Sequence, residues 1–132
     1  MKKISNYKIG VIGLGYVGLP LALAFGKKYI TVGFDVNKLR VQELKKGIDK
    51  TFEVENKEIK RSRIVFTNDS DELKNCNVYI VTVPTPIKKN KVPDMSFLSS
   101  ASKLVAKVIK RGDIVIYEST VYPGATEDYC VP

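Results

Sequence analysis

The chain has 132 residues, which is the length of one ordinary domain and too short for two packed domains. Its composition, 44% hydrophobic and 27% charged, excludes the disordered, collagen-like and coiled-coil classes. The net charge of +8 comes from lysines that are scattered along the chain, a pattern typical of a solvated surface. With two cysteines and no histidine, the chain cannot form a disulfide scaffold, a histidine-based catalytic triad or a histidine-containing zinc site. We predict no metal site.

An uncharged stretch near the amino terminus, residues 9–26, resembles an export signal in length and in its lysine-rich flank. Its glycines and Pro20 interrupt the helix that a signal or a membrane span requires. We therefore expect a cytoplasmic protein with reduced thiols and no membrane partner.

Apolar runs of strand length alternate with helical patterns along the rest of the chain. The predicted strands are residues 7–12, 30–34, 63–67, 78–83 and 113–117. The predicted helices are residues 16–28, 38–46, 69–75 and 94–110, with Asn37, Asp69 and Asp94 as the caps of the last three. Residues 48–62 are charged and weakly periodic, so they predict an excursion with one or two helical turns.

This alternation predicts an α/β fold, a Rossmann-like doubly wound parallel sheet of strand order 3-2-1-4-5. The continuous apolar run at 78–83 is typical of a strand that helices cover on both faces. A sheet that stops at its fifth strand leaves an apolar edge, and a helix that starts at Pro123 has barely begun at Pro132. We therefore expect residues 1–132 to be one truncated domain of a longer protein.

A glycine-rich run follows the first predicted strand and opens the first helix: Gly13, Leu14, Gly15, Tyr16, Val17 and Gly18. This is the context in which a G-x-G-x-x-G run binds a dinucleotide. Gly13 permits the tight turn, Gly15 lets a pyrophosphate approach, and Gly18 lets the helix pack on the strand. The helix start offers N–H groups to the anion, and Asp35 can accept hydrogen bonds from a ribose diol. The alternative is that the glycines only make a turn and Asp35 caps the next helix.

Asp35 also bears on the choice between NAD and NADP. A 2′-phosphate about 4 Å from that carboxylate is repelled by a few kcal/mol at an effective dielectric constant near 20. Lys38 and Arg40 could offset the repulsion, but they lie on a helix whereas Asp35 is fixed at the end of a strand. We therefore expect NAD as the cofactor.

Five segments of the sequence carry a family resemblance: GLGYVGLPLA (13–22), GFDVN (33–37), VPTP (83–86), PDM (93–95) and GDIVIYESTVYPGATE (112–127). In order and spacing they resemble the NAD domain of the UDP-glucose/GDP-mannose dehydrogenase family, the nucleotide-sugar 6-dehydrogenases. VPTP together with YESTVYPG is most similar to the bacterial branch, of the Vi polysaccharide type, that oxidises UDP-N-acetylhexosamines for surface polysaccharides. The resemblance covers nearly the whole chain.

The resemblance implies a four-electron oxidation of the sugar C6 alcohol to a carboxylate, with two NAD in succession and a thioester on a cysteine. It implies that Tyr16 and Val17 lend backbone donors to the pyrophosphate. It also implies that Asp35 and Arg40 hold the adenosine ribose.

Two further segments have implied roles at the other end of the cofactor. Val83, Pro84 and Thr85 would line it, and Ser119 and Thr120 would follow the fifth strand. Thr120 would face the nicotinamide, as a catalytic residue that positions a water near the reacting carbon. Without the resemblance, helix capping and turn formation is the better interpretation of the Ser-Thr pair.

The family's cysteine nucleophile, its UDP-sugar domain and the long central helix through which it dimerises are not expected within these 132 residues. Cys76 is predicted to be a small buried apolar residue, and Cys130 lies in no nucleophile motif. We therefore expect this chain alone to oxidise no UDP-sugar, and the parent enzyme to be a homodimer.

Three alternatives differ in function class. The parent could be a UDP-glucose or a UDP-N-acetylmannosamine 6-dehydrogenase, or the module could sense a dinucleotide without catalysis. The basic run at 57–63 suggests nucleic-acid binding, but acidic residues interrupt this part of the chain and no nucleic-acid motif accompanies it. We expect no nucleic-acid partner.

Overall fold

The structure is a computed structural model that describes residues 6–118 and residue 130. Its strands are β1 (Lys8–Ile12), β2 (Ile30–Phe34), β3 (Val65–Thr67), β4 (Val78–Val81) and β5 (Ile114–Tyr117). Its helices are α1 (Gly18–Gly26), α2 (Lys38–Lys45), α3 (Asn56–Arg61) and α4 (Ser96–Val108), and a 3₁₀ turn at Ser70–Leu73 precedes β4.

The five strands form one sheet of order β3-β2-β1-β4-β5, and every pair is parallel. The predicted fold class and strand order are confirmed. Strand β1 lies in the middle, where Ile9 faces Thr31 of β2 on one side and Val78 of β4 on the other. The chain reverses its direction of winding between β1 and β4, and open α/β sheets bind ligands at this point.

Helices cover both faces of the sheet. Leu19 and Leu44 belong to the core on the side of α1, α2 and α3, and Tyr79 belongs to the core on the side of α4. All four residues of β4 are buried, as its continuous apolar run predicts. The buried stripe of α4 is also the predicted one: Leu98, Ala101, Val105 and Val108.

Several elements are shorter than the sequence predicts because other contacts compete at their ends. Strand β4 ends at Val81, and the hydroxyl of the next residue, Thr82, bonds the Gly13 carbonyl oxygen in the loop after β1. Helix α4 ends at Val108, because Ile109 has an extended backbone and the amide of Lys110 donates to the Asp113 carboxylate at 2.8 Å.

The predicted caps differ in how they act. Asn37 caps α2 and accepts from the amide of Arg40 at 3.2 Å. Asp69 caps the 3₁₀ turn through the amide of Asp71, so the predicted helix there is only one short turn. The Asp94 carboxylate accepts from the amide of Ser96 at 2.9 Å, although Met95 occupies the cap position of α4.

The predicted excursion contains one short helix, α3, which the buried Ile59 anchors to the core. Before α3 the chain wraps around the carboxylate of Asp49, which is 3% exposed. This buried carboxylate was not anticipated among the charged residues of the segment. Within residues 6–118, no helix has the length and apolar character needed to cross a membrane.

Candidate functional site

A cleft of about 910 Å³ lies at the carboxyl ends of β1, β2 and β4. The sequence-predicted site residues on its wall are Gly13, Leu14, Gly15, Tyr16, Val17, Asp35, Arg40, Val83, Pro84 and Thr85. Gly18 is not on the wall and lies directly behind the turn. Ser119 and Thr120 lie outside the described residues. The structure therefore brings the described part of the predicted site together in one place.

The turn after β1 depends on Gly13, whose φ of +103° lies in the region that favours glycine. Its amide donates to the carbonyl oxygen of Phe34 at 2.8 Å, which ties the turn to the end of β2. A Cβ atom at Gly13 would lie 3.1 Å from the backbone of Thr82. The loop after β1 is thus packed backbone to backbone against the end of β4.

Gly18 and Gly15 occupy opposite environments. A Cβ atom at Gly18 would overlap the Gly13 carbonyl oxygen and would lie 2.5 Å from the Thr82 hydroxyl oxygen. A Cβ atom at Gly15 would meet nothing within 4 Å among the described atoms. Gly18 therefore has the predicted packing role, and the face at Gly15 is open to a group that approaches from the cleft.

The first turn of α1 adds donors to this open face. Val17 is the cap residue and makes no side-chain capping bond with the described part of the chain. The Leu19 amide already donates to the Gly15 carbonyl oxygen at 3.2 Å and Pro20 has no N–H, so the donors that the start of α1 offers to a ligand are the amides of Tyr16, Val17 and Gly18. Tyr16 and Val17 expose 68% and 56% of their surface at the mouth of the cleft. The arrangement fits an anionic group such as a pyrophosphate.

Asp35 links the glycine turn to the next helix. One carboxylate oxygen accepts from the amide of Leu14 and the other from the amide of Asn37, both at 2.9 Å. The carboxylate lies on the cleft wall and is partly exposed. Both sequence interpretations thus have structural support, because Asp35 supports the start of α2 and is also available to a ligand in the cleft.

Arg40 lies behind the same turn, on α2. The residue is 9% exposed, its Nε donates to the Leu14 carbonyl oxygen at 2.8 Å, and its Nη1 forms an ion pair with Asp49 at 2.8 Å. Nη2 has no hydrogen-bond partner among the described residues. Arg40 thus lies on the cleft wall, and its charge already has a partner in Asp49.

Asp49 is the site residue that sequence reasoning missed. Burial disfavours its charge, but hydrogen bonds from Thr51, Arg40 and the amide of Val54 outweigh burial and hold the pKa of Asp49 well below its usual range. The residue is therefore a carboxylate at neutral pH. No local pattern marks Asp49 in the sequence, where it stands two residues after Gly47.

The sequence analysis also did not predict several other residues of the cleft. The Thr82 hydroxyl lies 2.6 Å from the Gly13 carbonyl oxygen and holds the turn. Phe97 and Leu104 of α4 form an apolar part of the opposite wall, and Glu118 lies at the end of β5. These side chains come from distant parts of the sequence, and only the strand order places them together.

Cys76 lacks the features of a nucleophile, and Cys130 lies in no nucleophile motif of the sequence. Cys76 is 2% exposed, and burial raises the pKa of its thiol to about 11. Its predicted role as a small buried apolar residue is confirmed. Cys130 is partly buried against the core under α4. Among residues 6–118 and 130, no group of three or more acidic or cysteine side chains is placed to hold a metal ion.

Comparison with known proteins identifies the family. Residues 7–132 match the NAD binding domain of the UDP-glucose/GDP-mannose dehydrogenase family. The chain belongs to this family. The predicted resemblance is confirmed, and the cofactor of this NAD binding domain is NAD.

The curated relatives are longer than this chain. It is 58% identical over 130 residues to a UDP-N-acetyl-D-glucosamine 6-dehydrogenase of Pseudomonas aeruginosa, covering 98% of this chain and 31% of the relative. It is 55% identical to the enzyme of the same description from Salmonella typhi, again covering 98% and 31%. The chain thus spans about a third of the length of these relatives.

A solved structure of a nucleotide-sugar dehydrogenase has the same architecture. The UDP-D-ManNAc dehydrogenase of Pyrococcus horikoshii matches with a TM-score of 0.81 and 37% identity, covering 91% of this chain and 30% of that chain. The Rossmann-like sheet of the NAD binding domain is therefore the same in both.

Proposed function

We propose that residues 1–132 form the coenzyme-binding domain of an NAD-dependent UDP-N-acetylhexosamine 6-dehydrogenase. The observation that carries the proposal is the open face at Gly15, which lies between the first turn of α1 and the carboxylate of Asp35. Within this class, the 58% identity to a UDP-N-acetyl-D-glucosamine 6-dehydrogenase supports UDP-N-acetylglucosamine as the substrate rather than UDP-N-acetylmannosamine, because a dehydrogenase of the latter is only 37% identical.

In this proposal, different residues of the cleft bind different parts of the dinucleotide. The amides of Tyr16 and Val17 bind the pyrophosphate beside Gly15, and Asp35 and Arg40 hold the adenosine ribose. The segment of Val83, Pro84 and Thr85 lines the cofactor farther along the cleft, at the end of β4. NAD, when bound, supplies the hydride acceptor for the oxidation of the C6 alcohol to a carboxylate.

The rest of the proposal concerns the parent enzyme and two residues outside the described part of the chain, Ser119 and Thr120. Ser119 and Thr120 lie at the nicotinamide, where Thr120 positions a water. The nucleophilic cysteine, the UDP-sugar domain and the central helix of a homodimer belong to the parent enzyme. That enzyme works in the cytoplasm in surface polysaccharide synthesis.

Calorimetric titration of the 132-residue chain with NADH tests the coenzyme site. We expect saturable binding at one site per chain. A folded chain that takes up neither NAD nor NADH at millimolar concentration would contradict the proposal.

An activity assay tests whether the groups that oxidise the UDP-sugar lie outside this chain. The chain is mixed with NAD and UDP-N-acetylglucosamine, and NADH is followed by its absorbance. We expect no NADH, because neither Cys76 nor Cys130 has the features of the nucleophile. Sustained NADH production by the pure chain would show that the catalytic groups lie within these residues.

A further inference from the structure

Two charged side chains bind the same residue of the glycine turn from opposite sides. The amide of Leu14 donates to Asp35, and the carbonyl oxygen of Leu14 accepts from Nε of Arg40, at 2.9 and 2.8 Å. Both side chains lie on the wall of the cleft. If Arg40 were unpaired, its positive charge would favour any anion that binds next to Asp35.

Asp49 neutralises the charge of Arg40 through Nη1, while Nη2 of Arg40 bonds none of the described residues. The two side chains are joined at 2.8 Å and are 10% and 0% exposed, so solvent screens the pair little. Asp49 adds a charge of −1 to the +1 of Arg40. Asp35 therefore dominates the local charge that a ligand meets at this end of the cleft.

Asp49 is also fixed in place by its own loop. One carboxylate oxygen accepts from the amide and the hydroxyl of Thr51 at 2.9 and 2.6 Å, in addition to Arg40. The other oxygen accepts from the amides of Glu53 and Val54 at 2.9 and 3.1 Å. The carboxylate is therefore held where it meets Arg40, and Arg40 could turn to a phosphate only by giving up its bonds to Asp49 and to the Leu14 carbonyl oxygen.

We propose that Asp49 is a specificity-determining residue for the coenzyme: it neutralises and fixes Arg40, so that a 2′-phosphate beside Asp35 finds no free cation and the cleft selects NAD(H) over NADP(H). The inference rests on the proposed function, since it requires the adenosine ribose at Asp35. Lys38, the other nearby cation, is exposed on α2 and is not on the cleft wall. Lys38 therefore does not offset the repulsion between Asp35 and a 2′-phosphate.

The first test compares the dissociation constants of NADPH and NADH by calorimetry for the 132-residue chain and for Asp49→Asn. We expect NADPH to bind at least about tenfold more weakly than NADH to the unaltered chain. In Asp49→Asn, the released charge of Arg40 lowers this ratio about tenfold. Thr51→Val is the matched control, because it removes one bond to Asp49 and no charge, and it keeps the ratio of the unaltered chain. An unchanged ratio in folded Asp49→Asn would overturn the inference.

A second variant keeps the inference testable if Asp49→Asn does not fold. Arg40→Gln combined with Asp49→Asn replaces the ion pair by a neutral pair of similar shape. We expect both coenzymes to bind more weakly, because the Arg40 contact to the ribose is lost, and their ratio to stay within about twofold of the unaltered chain, because the pair carries no net charge in either protein. A ratio at least tenfold higher would show that Arg40 serves the coenzyme as a free cation, and it would overturn the inference.

The outcomes also separate this inference from the proposed function. If the unaltered chain binds neither coenzyme, the proposed function fails and the inference fails with it. If it binds NADH and NADPH with equal affinity, only the inference fails.

Discussion

Asp35 and Asp49 hold the same turn and differ in almost everything else. Asp35 is partly exposed on the cleft wall and bonds the amide of Leu14 directly. Asp49 is 3% exposed, and it acts on the carbonyl oxygen of Leu14 only through Arg40. In this site one carboxylate, Asp35, stays accessible to a ligand in the cleft. The other, Asp49, is buried, and its hydrogen bonds hold Arg40 and through it the glycine turn.

The largest expected difference between the two carboxylates is in the free energy of unfolding after each is replaced by alanine. Asp49→Ala leaves the buried charge of Arg40 without a partner, so we expect the free energy of unfolding to fall by about 3–5 kcal/mol. Asp35→Ala removes two hydrogen bonds at a partly exposed site, and we expect a loss of about 1–2 kcal/mol. Urea denaturation followed by circular dichroism measures both. Equal losses would contradict the division between frame and ligand site.

In coenzyme binding, Asp35 should have a large effect. Hydrogen bonds to a charged group contribute about 1.5–3 kcal/mol, so Asp35→Ala should weaken NADH binding about tenfold or more and should reduce the discrimination against NADPH. Asp71→Ala is the matched control, because that side chain is 71% exposed and, among the residues that the structure describes, its ion pair is with Lys74 at the surface. Calorimetry that gave unchanged affinities for both coenzymes in Asp35→Ala would remove Asp35 from the site.

Gly18 and Gly15 differ in the same way as the two carboxylates, because Gly18 is packed inside the turn and Gly15 faces the cleft. Gly18→Ala forces a methyl group onto the Gly13 carbonyl oxygen, and overpacking of this kind costs about 1–3 kcal/mol of stability. Gly15→Ala meets no described atom within 4 Å, so we expect its stability to change by less than about 0.5 kcal/mol. Its methyl group should instead weaken NADH binding. A destabilised Gly15→Ala that binds NADH normally would contradict both assignments.

The last prediction concerns alkaline pH and Cys76, a buried group whose pKa folding raises, whereas folding lowers that of Asp49. Folding raises the pKa of Cys76 from 9.0 to about 11, because burial disfavours the thiolate. The contribution of Cys76 to stability is therefore complete below pH 9 and is lost as the pH rises toward 11. Urea denaturation at pH 8 and pH 10.5 should show a smaller alkaline loss in Cys76→Ala than in the unaltered chain. Identical losses would show that Cys76 does not contribute.

The sequence was sufficient for the parts of the fold that depend on local pattern. The buried stripe of α4, the order of the strands and the placement of Gly13, Gly15 and Asp35 all follow from periodicity and from the carboxyl-end rule. Asp49 could not be predicted in this way, because five donors from α2 and its own loop converge on it only after folding. Thr82 was missed for a similar reason, since its partner in the turn is 69 residues away.

Amide chemical-shift mapping tests the central claim most directly, because it locates the coenzyme without any substitution. NADH is titrated into the isotope-labelled chain, and two-dimensional spectra are recorded. The amides of Gly15, Tyr16, Val17 and Asp35 should shift together with one dissociation constant, while the amide of Val65 at the far edge of the sheet stays unchanged. Shifts centred on β3, or no shifts at saturating NADH, would contradict the account.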